Sequence, residues 1–245
     1  MDIGYFKKNG CFVVSGTKKI IALIVLMTAP LLFLGAGLPA KSNEVSGSVR
    51  IGMPDSFGLV RMSNRGFVRW NARWPSYVIP VCWENPVPQF ARERELVRQS
   101  IIDTWQNHSG LRFVNWGECD PLSRGIRISI RDDGPRTTGL ARELDGVPGG
   151  MLLNFSFQRW KQPCNTERDV CIRSIAVHEF GHSIGFAHEQ NRSDTPAGCP
   201  GAQGGSGDWL LTPWDPVSVM NYCNFNNRGI LSPGDIASVA AMYPA

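Results

Sequence analysis

No uninterrupted apolar run of roughly 20 residues occurs in this 245-residue sequence, which argues against a lasting transmembrane helix. An excess of one charge is missing as well. There are 25 Lys+Arg against 21 Asp+Glu, and once residues 1–40 are set aside the balance is 21 against 20, so nothing calls for a nucleic-acid partner. No Cys-x-x-Cys pair is present, which disfavours a cysteine zinc site or a thioredoxin-like redox centre. Internal repeats and low-complexity tracts are also lacking. With 42% hydrophobic and 19% charged residues, the chain is neither disordered by composition nor a coiled coil, and one or two globular domains are expected.

What is present begins with a leader. Lys18 and Lys19 precede an apolar stretch of about 15 residues that is broken by Pro30 and ends in small residues, the layout of a secretory signal. Residues 1–40 are therefore expected to be a cleaved signal peptide or, if uncleaved, an N-terminal anchor and the only contact with a membrane. Cysteine usage agrees with a secreted, periplasmic or extracellular destination. Cys11 lies before the apolar stretch, and six cysteines follow it, an even number suited to three disulfides. Short loops favour Cys82–Cys119, Cys164–Cys171 and Cys199–Cys223, among fifteen possible connectivities.

Residues 41–74 show no clear hydrophobic period and read as a linker or short pro-segment, leaving 75–245 as the functional domain. Within it, Tyr77–Trp83 has strand character, and apolar residues from Leu96 to Trp105 recur at helical spacing in the segment Ala91–Gly110. Ile126–Ile130 and Met151–Phe155 read as strands, with a shorter one expected over Gly139–Leu144. Helices are expected from about Asp169 to Ile184 and from about Pro233 to Met242, the latter started by Ser232 or Asp235. The Gly- and Pro-rich stretch 190–231 is long for a loop and calls for staples or a function. The sum is an α+β domain: a mixed sheet covered by helices.

Three of only four histidines fall in His178-Glu179-x-x-His182-x-x-Gly185-x-x-His188. Residues 178 and 182 lie about 40° apart around a helix and about 6 Å along it, so both imidazoles face one ion. His188 would stand about 15 Å along a continuous helix, too far to share that ion. The helix must end first, and Gly185 can take the left-handed conformation that ends it. Three neutral imidazoles suit one Zn2+ and leave a fourth position for water, as catalytic rather than structural sites do. Glu179 is then placed as the base that takes the water's proton during amide hydrolysis. His108 reads as a surface residue near a helix end.

This motif, together with Ser218-Val219-Met220-Asn221-Tyr222, resembles the metzincin metallopeptidases. The resemblance implies a metzincin-like (zincin) catalytic domain, with a twisted mixed sheet, an active-site helix and a C-terminal helix. It implies that Met220 forms an apolar floor beneath the zinc ligands. Phe186, Glu189 and Tyr222 are similar to the astacin pattern, which implies that Tyr222 ligates zinc at rest and supports the oxyanion during turnover. The same pattern implies that Glu189 contacts the mature amino terminus. The stretch from Leu231 to Tyr243 is closer to matrixins. Residues 41–81 hold no thiol for a matrixin-type switch, and Asp55, the one aspartate of 41–74, fits a plain loop better than an astacin-type block.

The resemblance also implies an extended peptide bound along an edge strand, for which 137–144 is the candidate. Arg228 lies near the expected specificity pocket and could favour acidic side chains, although a solvated arginine accounts for it better. The expected activity is that of a secreted, monomeric zinc-dependent endopeptidase with His178, His182 and His188 as ligands and Glu179 and Tyr222 as catalytic groups. The alternative is a secreted, disulfide-stapled zinc-containing binding protein without proteolytic activity, which would have no need of Glu179. The sequons at Asn107, Asn154 and Asn191 matter only if the source glycosylates secreted proteins.

Overall fold

A computed structural model of the protein describes residues 66–160, 163–223 and 227–245; the expected leader, Asp55 and most of the expected linker lie outside these residues. In chain order the elements are β1 (Phe67–Val68), β2 (Val78–Trp83), α1 (Ala91–Ile101), β3 (Arg112–Glu118), β4 (Ile126–Ile130), β5 (Arg136–Thr137), β6 (Met151–Leu153), α2 (Arg168–Ser183), β7 (Trp209–Leu210) and α3 (Pro233–Met242). Five strands form one sheet in the order β3-β2-β4-β6-β5. All neighbours are parallel except β5, which runs antiparallel to β6 at the edge. The mixed α+β architecture expected from the sequence is what is found.

The apolar pattern explains the layers. Every residue of β4 is buried, as suits a strand covered on both faces. Val97, Ile101 and Trp105 recur at helical spacing and are fully buried, turning one face of α1 into the core that α2 shares. Beyond Ile101 the helix loosens into a π-helical stretch, Ile102–Gln106, so the expected single helix ends in two geometries. Pro80 sits inside β2 but pairs only with β3 at Val114, since pairing with β4 starts at Val81. Its missing N–H therefore costs no ladder bond on the β4 side.

Three expectations are corrected. Strand β3 escaped the sequence reading because Asn115 and Trp116 carry positive φ and the register against β2 shifts between Val81 and Cys82, which destroys a clean alternation. The strand expected over 139–144 is instead a turn of 3-10 helix, Ala141–Leu144, because Glu143 Oε2 accepts the Leu140 N–H at 2.9 Å. The last residues of the expected linker belong to the folded body. β1 pairs with β7, and the indole of buried Trp74 donates to Ser183 O at 2.7 Å. The Tyr243 hydroxyl donates to Ile184 O at 2.9 Å, so two ring donors satisfy carbonyls left open at the end of α2.

Disulfides join Cys82 to Cys119, Cys164 to Cys171 and Cys199 to Cys223. The third closes part of the long 190–231 segment, which also contains β7. A forked ion pair ties β4 to the residue that follows β2. Arg127 Nε and Nη2 reach Glu84 Oε1 and Oε2 at 2.8 and 3.2 Å, and the Gly149 N–H adds a bond at 3.0 Å.

The hydrogen bond from Arg127 holds the Glu84 carboxyl below its ordinary value of 4.5. The folded state therefore binds this proton less readily than the unfolded chain. The pair's contribution is full above pH 4.5 and disappears as the pH falls through the folded value. Glu84→Gln should lower stability by about 1–3 kcal/mol at neutral pH, with the deficit shrinking under acid, as read from urea denaturation midpoints across a pH series.

Candidate metal centre and cleft

Helix α2 carries His178 and His182 one turn apart on its buried end. It then stops by the geometry expected of Gly185, which adopts φ +104°. Phe186 N–H returns to Gly181 O at 2.9 Å and Gly185 N–H to His182 O at 3.0 Å, the paired bonds of a Schellman ending. The chain reverses and delivers His188, whose Nε2 stands 3.1 Å from that of His178 and 3.0 Å from that of His182.

The opposite ring nitrogens settle what these short distances mean. Nδ1 of His178 faces Val219 O, that of His182 faces Phe186 O and that of His188 faces Gln203 O, each at 2.8 Å. A carbonyl only accepts, so each Nδ1 carries the proton and each Nε2 turns a bare lone pair toward the others. Burial, chiefly, pulls the imidazole of His178 down to about 3 and that of His188 to about 4, and moves His182 well below its ordinary value, so all three are neutral. Three lone pairs meeting without a proton between them repel unless a cation lies among them. Nitrogens about 2 Å from one tetrahedral zinc stand roughly 3.3 Å apart, which this spacing fits. His108 is not part of this group.

Glu179 is fully enclosed, and its Oε2 has no hydrogen-bond partner. Burial pushes its carboxyl up to about 8, against the opposing pull of Arg136. The Tyr222 hydroxyl lies 3.1 Å from His178 Nε2, and burial followed by Glu179 raises its phenol well above the ordinary value. These groups form the base of a cleft of about 210 Å³, walled by residues 136–140 and Glu143 and by Gly204 and Gly205.

Met220 packs against α2 at Gly181, with 1% of its surface exposed. It packs so closely that a Cβ on Gly181 would come within 2.4 Å of its Sδ and 3.1 Å of the Trp105 ring. Gly181 was missed in the sequence reading. Its signal was available, because a glycine inside a helix costs about 1 kcal/mol and so points to a close approach.

The turn at 218–222 is hung from α3. Asp235 accepts from Ser218 Oγ at 2.7 Å and from the N–H groups of Val219 and Ser232 at 2.9 Å each. The same residue thus caps its own helix and aims the carbonyl that orients His178. Asn191 performs the equivalent task for His188, bonding Gln203 O at 2.6 Å and Gln203 N at 2.8 Å. Because the Asn191 amide is engaged and Asn154 is buried, Asn107 is the one exposed asparagine among the three sequons.

Where a mature amino terminus would begin lies outside the described residues; among these, Glu189 meets internal partners. It is buried, lies 3.3 Å from Arg192 Nη1 and accepts the Asp215 N–H at 2.8 Å, so an internal arginine supplies its counter-charge. Arg192 is itself fully enclosed and forks onto Asp194 at 2.7 and 2.8 Å. Arg228 does not line the cleft; it pairs with Glu167 at 3.5 Å. The cation in the cleft is Arg136, for which the sequence carries no local signal.

Gly181→Ala should destabilise the fold by about 1–3 kcal/mol by forcing Met220 aside. Combining it with Met220→Ala should cost less than the sum of the two changes, a coupling that thermal denaturation of the four proteins would reveal.

No family model matches the chain. Its sequence is similar to the interstitial collagenase of Sus scrofa, with 30% identity over 158 residues that make up 61% of this chain and 32% of the collagenase. It is also similar to the matrilysin of Mus musculus, with 26% identity over 185 residues, 71% of this chain and 67% of matrilysin. The chain spans about a third of the length of the collagenases it matches. In fold it is similar to the solved structure of myroilysin, at TM-score 0.52 and 22% identity, covering 74% of this chain and 99% of that one. In motif, sequence and fold the chain is similar to the metzincin metallopeptidases, and its three converging histidines form a centre suited to one zinc ion.

Proposed function

We propose that the chain is a secreted zinc-dependent endopeptidase of astacin-like type. The observation that carries this reading is the buried, unpartnered Glu179 Oε2 in a cleft lined also by His182 and His188, whose Nε2 atoms converge with that of His178. When bound there, zinc would polarise a scissile carbonyl and acidify a water.

The protein's own groups supply the rest. Glu179 acts as general base, and its enclosed carboxyl suits a group that must hold and then pass on a proton. The Tyr222 hydroxyl, within reach of the His178 ring, donates to the charge that develops on the carbonyl oxygen. Substrate backbone docks on β5, which lies at the sheet edge. Thr138 spends its N–H on Gly150 O at 2.8 Å, so by antiparallel alternation the Thr137 N–H and C=O point outward, available to an extended peptide. Met220 and Gly185 shape the metal site without touching substrate. The charged, Pro-broken leader and the three disulfides support export.

Cleavage of casein by the zinc-loaded exported chain tests the reading. Glu179→Ala should lower kcat by about 10²–10⁴ with zinc content unchanged. Zinc in both proteins and cleavage in neither would instead favour a peptide-binding protein. Tyr222→Phe should reduce kcat by about 10²–10³ while retaining zinc, whereas His188→Ala should lose the metal itself, as metal analysis after gel filtration would show.

A further inference from the structure

A second cavity, of about 390 Å³, lies apart from the cleft and shares no lining residue with it. Its walls come from the segment before β2, the turn at 141–144 and the end of α3, and they include Trp70, Arg73, Trp74, Tyr77, Arg142 and Met242. The hydrolytic chemistry uses none of these residues. Arg73 is held in one plane: its guanidinium lies 3.7 Å from the centre of the Trp70 ring, Nε donates to Trp70 O at 3.2 Å and Nη1 to Met242 O at 3.3 Å. Its Nη2 protons remain available. Arg142 is exposed and donates to no group among the described residues.

Neither guanidinium forms an ion pair among the described residues, and the acids beside the cavity are committed elsewhere. Glu143 pairs with Arg69 at 2.9 Å, and Asp208 accepts the Trp70 N–H at 2.7 Å and the Asn71 amide at 3.2 Å. The lining therefore presents two planar forks matched to a carboxylate and no negative group of its own. The remaining walls suit hydroxyls and a ring. Asn71 spends its amide N–H on Asp208 and keeps its carbonyl to accept, and Tyr77, 36% exposed, offers a hydroxyl and an apolar ring at the rim. One chemical unit carries a carboxylate, several hydroxyls and an apolar ring face together: the uronic acid residue of an acidic polysaccharide. An acidic peptide side chain brings the carboxylate without the hydroxyls.

We propose that this cavity binds a uronate-containing polysaccharide, with Arg73 and Arg142 on the carboxylate and Asn71 and Tyr77 on the hydroxyls and ring. Arg142 directly precedes Glu143, which lines the cleft, so the polysaccharide is held beside the cleft without entering it. Such a site tethers the protein to a carboxylated matrix and leaves the metal centre open. The assignment does not depend on the endopeptidase reading, because binding alone reads it.

The experiment titrates the zinc-loaded exported chain with tetragalacturonate by calorimetry, alongside the methyl ester of the same oligosaccharide, which keeps the hydroxyls and loses the charge. The acid should bind about tenfold more tightly than the ester, the size expected of one charge-assisted bond. Arg142→Gln should weaken binding of the acid about tenfold, Arg142→Lys should retain part of the affinity, and Asn71→Ala should weaken acid and ester alike by about threefold. Arg124→Gln removes the same charge from an exposed arginine outside the cavity and should change nothing. No saturable binding of the acid, equal binding of acid and ester, or equal losses from Arg124→Gln and Arg142→Gln would overturn the proposal. Dextran sulfate and a single-stranded oligonucleotide serve as polyanions without uronate; tighter, Arg142-dependent binding of either would overturn the saccharide assignment. Cleavage of a short neutral peptide should be unchanged by Arg142→Gln, and a loss of cleavage with tetragalacturonate affinity intact would move Arg142 to the substrate site and overturn the proposal. If no peptide is cut, the endopeptidase reading fails separately, while the titration still decides this site.

Discussion

Three imidazoles can hold one ion only if each is deprived of the proton on the nitrogen that faces it. Here three backbone carbonyls impose that condition: Val219, Phe186 and Gln203 each accept an Nδ1 proton and so turn an Nε2 lone pair inward. The carbonyls come from three different places, namely the turn before α3, the reversal after α2 and the long stapled segment. Misplacing any of them would release one ring to rotate or to take the other tautomer. Much of the fold outside the sheet serves to fix these three oxygen atoms.

Each carbonyl has its own support, and the supports use different chemistry. Phe186 follows directly from the glycine that ends α2. Val219 is aimed by the Asp235 carboxylate, which gathers two N–H groups and a hydroxyl in the interior. Gln203 is held by the Asn191 amide, and its segment is further tied down by Arg69, which donates to Ser206 O at 2.8 Å while pairing with Glu143 on the opposite wall of the cleft. Glu189 and Arg192 add a buried ion pair immediately after the last ligand. Such a pair gives little net stability, but removing either partner would strand a charge in the interior.

Much of this was legible in order along the chain. The core strands β2, β4 and β6 and all three helices announced themselves through period and caps, and the histidine spacing alone required a helix, a break at Gly185 and a return. The supports were not legible in the same way. Asp235 could be read as a helix cap, but not as the anchor of a turn 16 residues earlier. Nor did spacing alone show that Glu189 would meet Arg192, three residues on, inside the fold. Strand β3 was hidden because its positive-φ residues break the two-residue alternation on which a strand is recognised.

By itself the sequence determined what depends on neighbours close in the chain: the three converging histidines, the helix that presents two of them, the glycine that turns the chain back toward the third, and the carboxyl group beside them. Spacing is enough there because helix geometry and the left-handed preference of glycine are local properties of the backbone. Tertiary structure alone decided which carbonyls orient the rings, how closely Met220 approaches Gly181 and which arginine enters the cleft. Those outcomes depend on contacts between segments far apart in sequence, where burial and hydrogen-bond satisfaction select the partners and no local pattern records the choice.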